Sequence, residues 1–191
     1  MRTKFSIIIS ALIMASSCSN NQEPLKNEIR IKFYEPDSLL DHVISFDKNG
    51  RLNGVYIKFK KNGKIDKYEE YLNGKEHGNF LYFNESGNLY KTQKYKNGLL
   101  NGQSRNFHQN GIVETDCSYL NGLKHGSCNN FYSSGSIRHK IIYNNNIMKS
   151  YTEYYDQSGI VKSKCIYDSL GQSVLNENFD SLGNKVNLNH R

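Results

Sequence analysis

Aromatic residues recur at a fixed step along most of this 191-residue chain. Tyr34, Phe46, Phe59, Tyr71, Phe83, Tyr95, Phe107, Tyr119, Phe131, Tyr143, Tyr155, Tyr167 and Phe179 follow one another every 12 residues, with a single step of 13 between Phe46 and Phe59. Thirteen of the 23 aromatic residues therefore stand on one ladder. A step this short has room for one strand of seven or eight residues and one tight turn. A chain built this way is a repeat array, in which each unit buries its apolar stripe against its neighbours only.

Two kinds of rung alternate, so the full unit is 24 residues long. Tyr71, Tyr95 and Tyr119 begin the pattern aromatic-x-Asn-Gly, which decays to three asparagines after Tyr143. Phe59, Phe83, Phe107, Phe131 and Tyr155 begin the pattern aromatic-x-x-x-Gly. Asn and Gly tolerate the positive φ that tight hairpin turns demand. Gly74, Gly78, Gly87, Gly98, Gly102, Gly111, Gly122, Gly126 and Gly135 are accordingly read as turn glycines.

Between the turns the pattern has period two. Ile65, Leu89, Val113, Ile137 and Val161 each stand six residues before a ladder tyrosine, and polar residues such as Asp66, Glu114, Asp116, Arg138, Lys140, Lys162 and Lys164 fill the alternate positions. That places aliphatic and aromatic side chains on one face of a strand and charges on the other. The predicted fold is all-β, an elongated antiparallel β-meander of about thirteen strands in repeated hairpins. Only 37% of the residues are apolar, which suits a thin sheet whose few inward positions are widened by rings.

The unit aromatic-x-Asn-Gly-x-x-His/Asn-Gly, then an aromatic-rich strand, then x-x-Gly, resembles the bacterial variant of the MORN repeat, as found in YwqK-type proteins often classed as antitoxin components. The resemblance spans roughly residues 46–166 and is best in the three units that begin at Tyr71, Tyr95 and Tyr119. It implies a β-hairpin array that binds proteins or, in some relatives, membrane lipids. Asn146 and the pair Lys149 and Ser150 stand where it expects glycine, so the unit after Tyr143 is expected to be looser.

The first 17 residues read as an export leader: Arg2 and Lys4, an apolar run from Phe5 to Met14, then Ala15-Ser16-Ser17 ahead of Cys18. A run of ten residues falls short of the roughly 20 needed to span a bilayer. Small residues before a cysteine resemble the lipobox of bacterial lipoproteins, with Ala15 where that motif usually has Leu. The resemblance implies that Cys18 carries acyl chains, palmitate among them, and becomes the mature N-terminus. More than one chain makes such an anchor stable. The alternative is ordinary cleavage with Cys18 a bystander.

The expected organisation is therefore a leader over 1–17, a polar tether over 18–27, the repeat domain over 28–187 and a tail over 188–191. Ser19 after the cysteine resembles the signal for the outer membrane, so the expected location is the cell envelope. Export argues against a cytoplasmic antitoxin.

Cys117 and Cys128 are equidistant from a point between Gly122 and Leu123. A hairpin centred there makes them face each other, as a disulfide or as a pair of small buried residues. Cys165 is left unpaired. His77 and His125 occupy the same repeat position 48 residues apart, too far along a regular sheet to share a metal ion. They read as turn residues, and no metal or other cofactor is expected. The chain contains no Gly-x-Ser-x-Gly, His-Glu-x-x-His, Cys-x-x-Cys or phosphate-binding loop, and no repeated carboxylate pair, so no catalytic residue is assigned.

Without Arg2 and Lys4 the body holds 23 basic and 18 acidic residues, a net charge of +5 with the signs interspersed. Interspersed charge on an exported chain gives no reason to expect nucleic acid. The sequence thus points to a lipid-anchored, non-catalytic module that binds or scaffolds a protein partner through its repeated aromatics. The alternatives are a toxin-neutralising antitoxin or immunity-type protein, and a sheet that binds anionic lipid.

Overall fold

The computed structural model describes residues 7–10, 28–35, 39–154 and 158–186. The expected tether and tail, Cys18 and Tyr155 lie outside these residues. The described residues form sixteen β-strands and no α-helix: β1 (Ile7–Ser10), β2 (Glu28–Tyr34), β3 (Leu39–Phe46), β4 (Leu52–Phe59), β5 (Ile65–Leu72), β6 (Lys75–Phe83), β7 (Leu89–Lys96), β8 (Leu99–Leu100), β9 (Gly102–Phe107), β10 (Val113–Leu120), β11 (Leu123–Phe131), β12 (Ile137–Asn144), β13 (Ile147–Tyr154), β14 (Val161–Tyr167), β15 (Ser173–Phe179) and β16 (Lys185–Val186). Their hydrogen-bonded order follows the chain, with β8 alone off the path beside β7. The fold is the antiparallel meander that the ladder predicts.

Three short elements raise the strand count above thirteen. β1 lies inside the predicted leader and pairs with β2, β16 is two residues long, and Asn101 separates β8 from β9. Contacts divide the chain into two units, each described by itself. The first holds residues 1–88 and 95–98, the second residues 89–94 and 99–191.

Two turn types join the strands, as the two rung patterns require. At the Asn-Gly rungs both central residues are left-handed: Asn121 has φ 50° and Gly122 φ 84°. This is the type I′ hairpin, whose twist matches that of the strands it joins. Asn145 and Asn146, at φ 50° and 66°, keep that turn without glycine. Asn is the side chain that best tolerates this region. At the other rungs a wider loop closes on two backbone bonds, as where His108 N donates to Ile112 O (2.8 Å) and Gly111 N to His108 O (2.9 Å).

The type I′ turns also bond between hairpins. Gly74 N donates to Leu52 O (2.7 Å) and Gly98 N to Glu76 O (2.9 Å) in the first unit. In the second, Gly122 N donates to Leu100 O (2.8 Å) and Asn146 N to Lys124 O (2.9 Å). Each turn thus satisfies a carbonyl at the edge of the hairpin before it, which explains why the turns recur at a constant step.

Not every glycine of the pattern is in a turn. Gly78 and Gly126 lie inside β6 and β11, at bulges with φ 100° and 89°, and Gly102 opens β9 at φ 114°. Three strand glycines have partners that explain them. Gly54 faces Tyr71, Gly102 faces Tyr119 and Gly126 faces Tyr143 across the ladder. Each of these ladder tyrosines stands opposite a residue with no side chain, which leaves room for its ring.

The phenylalanine rungs differ from the tyrosines. Phe59 faces Ile65, Phe107 faces Val113 and Phe131 faces Ile137, so each meets the first aliphatic residue of the next strand across its loop. A single layer buries little. Among the described residues only Phe80, Cys117, Cys128, Ile141 and Glu69 are buried, and none of them is fully enclosed.

Candidate functional site

The second unit carries a cavity of about 340 Å³ on the face of β9, β10, β11 and β12. That volume is at the lower end of small-ligand pockets. Cys117 and Cys128 stand opposite each other in β10 and β11, their Cα atoms 3.9 Å apart and their sulfurs joined in a disulfide. Ile141 packs against the pair, with Tyr119, Tyr143, Met148 and Tyr151 around it. Ser104, Asn106, Thr115, Lys124 and Asn130 complete the lining with the two ladder tyrosines.

The pairing of the cysteines has a different origin from the one the sequence suggests. The hairpin is centred between Asn121 and Gly122, with Leu120 facing Leu123 and Tyr119 facing Lys124. A regular ladder from that centre would not bring Cys128 to Cys117. The bulge at His125, Gly126 and Ser127, set against Ser118 alone, shifts the register and restores the match. Beyond Tyr143, where Lys149 and Ser150 replace the expected glycine, the irregularity is smaller. Tyr143 faces Met148 and Ile142 faces Ser150.

Polar groups around the cavity are held in place. Asn106 Nδ2 donates to Thr115 Oγ1 at 3.0 Å, and Asn130 Nδ2 is 3.2 Å from His139 Nδ1. Burial, and behind it the charge of Arg138, lowers the pKa of His139. Burial also raises the Tyr119 phenol. Lys124 holds its ammonium 5.0 Å from the centre of the Tyr143 ring, within cation–π range. On the other face the charges pair with one another, as Arg105 does with Asp116 at 3.1 Å.

The cavity exists because small residues replace large ones. Two repeat units earlier, the positions of Ser104, Thr115, Cys117 and Cys128 hold Tyr56, Lys67, Glu69 and Phe80. In the first unit these larger side chains occupy the space. Lys67 Nζ binds Glu69 Oε1 at 2.9 Å and lies 5.0 Å from the centre of the Tyr56 ring. Tyr71 OH donates to Glu69 Oε2 at 3.0 Å. Phe80 packs between Tyr71 and Tyr95, with ring centres 5.6 and 4.5 Å away. Glu69 is 5% exposed and both of its oxygens are bonded, as a structural buried carboxylate requires.

The site residues read from the ladder thus divide. Tyr119 and Tyr143 line the cavity; Tyr71 and Tyr95 pack on Phe80; Phe83, Phe107 and Phe131 end their strands beside the loops. Lys124, Ile141, Phe80 and Glu69 are absent from the sequence-based assignment. Position −2 from each tyrosine rung carries the signal, running Glu69, Gln93, Cys117 and Ile141. His125 Nδ1 lies 3.2 Å from Asn145 Oδ1, and His77 Nδ1 is buried without a hydrogen-bond partner. Among the described residues no three His, Cys, Asp or Glu side chains gather as a metal site would need.

Residues 76–97 match the MORN repeat variant family. That stretch runs from β6 through the Asn97 turn and is close to one full repeat. MORN repeats are generally non-catalytic elements that bind membranes or proteins. No curated protein matches the chain.

Proposed function

We propose that this chain is a non-catalytic recognition module of the cell envelope, anchored by lipid on Cys18, whose cavity-bearing face binds a protein partner. One observation carries the reading. At the repeat positions where the first unit places Tyr56, Lys67, Glu69 and Phe80, the second places Ser104, Thr115, Cys117 and Cys128 and thereby opens a cavity. The backbone repeat does not require that opening, and a concave polar site between aromatic rings suits a binding role. The match of residues 76–97 to a repeat family that binds proteins or membranes supports it.

The test is site-specific photocrosslinking in the cell envelope. A crosslinking residue at Asn106, in the cavity, is expected to capture one defined protein. The same residue at Lys140, at an alternate position of β12 on the opposite face, is expected to miss it. Equal capture at both positions, or none at Asn106, rejects the reading. The anchor is tested separately: Cys18→Ala should move the chain from the detergent phase to the aqueous phase.

A further inference from the structure

The cavity in the second unit has an unbalanced charge. Its lining contains one ammonium, that of Lys124, and no carboxylate. Three other lysines of this unit are neutralised or engaged: Lys162 binds Glu153 at 3.2 Å, Lys185 binds Glu177 at 2.9 Å, and Lys149 donates to Asp168 O at 3.0 Å. Among the described residues the Lys124 ammonium has the Tyr143 ring and no acid. The repeat does not dictate this charge, because the corresponding position two units earlier holds Glu76. A half-covered cation on an aromatic face, beside hydroxyl and amide groups, is suited to a planar anion that accepts several hydrogen bonds.

We infer that the cavity receives a carboxylate, presented on an acidic side chain of the protein partner, with Lys124 as its counter-ion. The inference rests on the binding reading above. The Tyr119 and Tyr143 phenols and the Ser104 hydroxyl surround the charged end as hydrogen-bond donors, while the disulfide and Ile141 provide an apolar floor for the methylene stem.

The experiment uses the full chain, isotope-labelled, and follows backbone amide resonances while a capped glutamate peptide is added. The neutral probe is the same peptide with glutamine. The glutamate probe is expected to shift the amides of Ser104, Cys117, Lys124 and Asn130 saturably, at least tenfold more tightly than the glutamine probe, and less tightly as salt is raised. Lys124→Gln should lose at least tenfold in affinity while its remaining spectrum is unchanged, and Lys124→Arg should retain binding.

Ser104→Tyr, which installs the residue of the first unit, should block the probe while leaving Lys124 in place. Equal binding of the glutamine probe, undiminished binding by Lys124→Gln, or shifts elsewhere on the chain overturn the inference. Inorganic phosphate displacing the probe more strongly than acetate overturns the carboxylate assignment. If crosslinking at Asn106 captures a partner that Lys124→Gln captures equally well, the binding reading stands and the carboxylate inference falls.

Discussion

The two units place different chemistry at the same register positions. In the first, Glu69 faces Phe80 across β5 and β6; in the second, 48 residues later, Cys117 faces Cys128 across β10 and β11. The strands, the bulge beside each pair and the type I′ turn are alike. What differs is how the covered position is filled: by a ring packed between tyrosines with a bonded carboxylate, or by a covalent link under an open cavity. A one-layer sheet covers so few side chains that each covered site must be stabilised strongly. The repeat constrains the backbone and leaves this interior free to vary.

The largest expected effect is at the packed site. Phe80 is 3% exposed and touches two rings, so Phe80→Ala should cost about 3–5 kcal/mol, read from urea unfolding. Opening the disulfide by Cys117→Ser with Cys128→Ser should cost about 3 kcal/mol, the value expected for a short closed loop. Unfolding midpoints in which Phe80→Ala costs no more than an exposed substitution would show that the first unit does not depend on its ring. A paired substitution sharpens the comparison: Glu69→Cys with Phe80→Cys should form a new disulfide, detected by mass spectrometry without reduction. Free thiols on both would mean that the two registers are not equivalent.

Bulge glycines distinguish the units next. A Cβ on Gly78 would run into the Glu70 carboxylate, which accepts from Asn79 N at 2.7 Å and from Tyr68 OH at 2.8 Å. A Cβ on Gly126 would meet Ser118 Cβ at 3.6 Å and Ser118 Oγ at 3.9 Å, both ordinary contacts. Both positions have positive φ, which costs a residue with a side chain about 1–2 kcal/mol. Gly78→Ala should add the loss of the Glu70 bonds, about another 1 kcal/mol. Gly126→Ala should show the backbone cost alone. Equal losses in thermal unfolding would mean that Glu70 moves aside without penalty.

The legibility of this fold in its sequence has a physical basis. Turn chemistry and ladder spacing are local, and they account for the strands from β2 to β15 and for the alternation of turn types. Bulges are not legible in the same way. Gly78, Gly102 and Gly126 look like turn glycines because positive φ is all that a glycine announces; whether it lies in a turn or a strand depends on the partner strand. The same ambiguity misplaces the centre of the Cys117 to Cys128 hairpin by one residue. The cavity is legible only by comparing equivalent positions, since Ser104 and Thr115 are unremarkable until set against Tyr56 and Lys67.

The smallest expected effect is a response to alkali, and it too should differ between the units. Burial raises the phenols of both Tyr71 and Tyr119. Tyr71 is raised further, because it also bonds the Glu69 carboxylate, whereas the charge that adds to burial at Tyr119 comes only from the phenol of Tyr143. Unfolded tyrosines ionise near pH 10. A phenol still neutral in the folded chain above that value keeps a proton that the unfolded chain has released. Its contribution to stability is therefore whole below about pH 10 and lost as pH rises through the folded value. Tyr71→Phe should remove more of this alkaline loss than Tyr119→Phe, measured as the unfolding midpoint from pH 9 to 12. Phenolate absorbance should show Tyr71 ionising after Tyr119. The reverse order would mean that Glu69 does not hold the Tyr71 hydroxyl in solution, and the contrast between a bonded carboxylate and an open cavity would lose its electrostatic half.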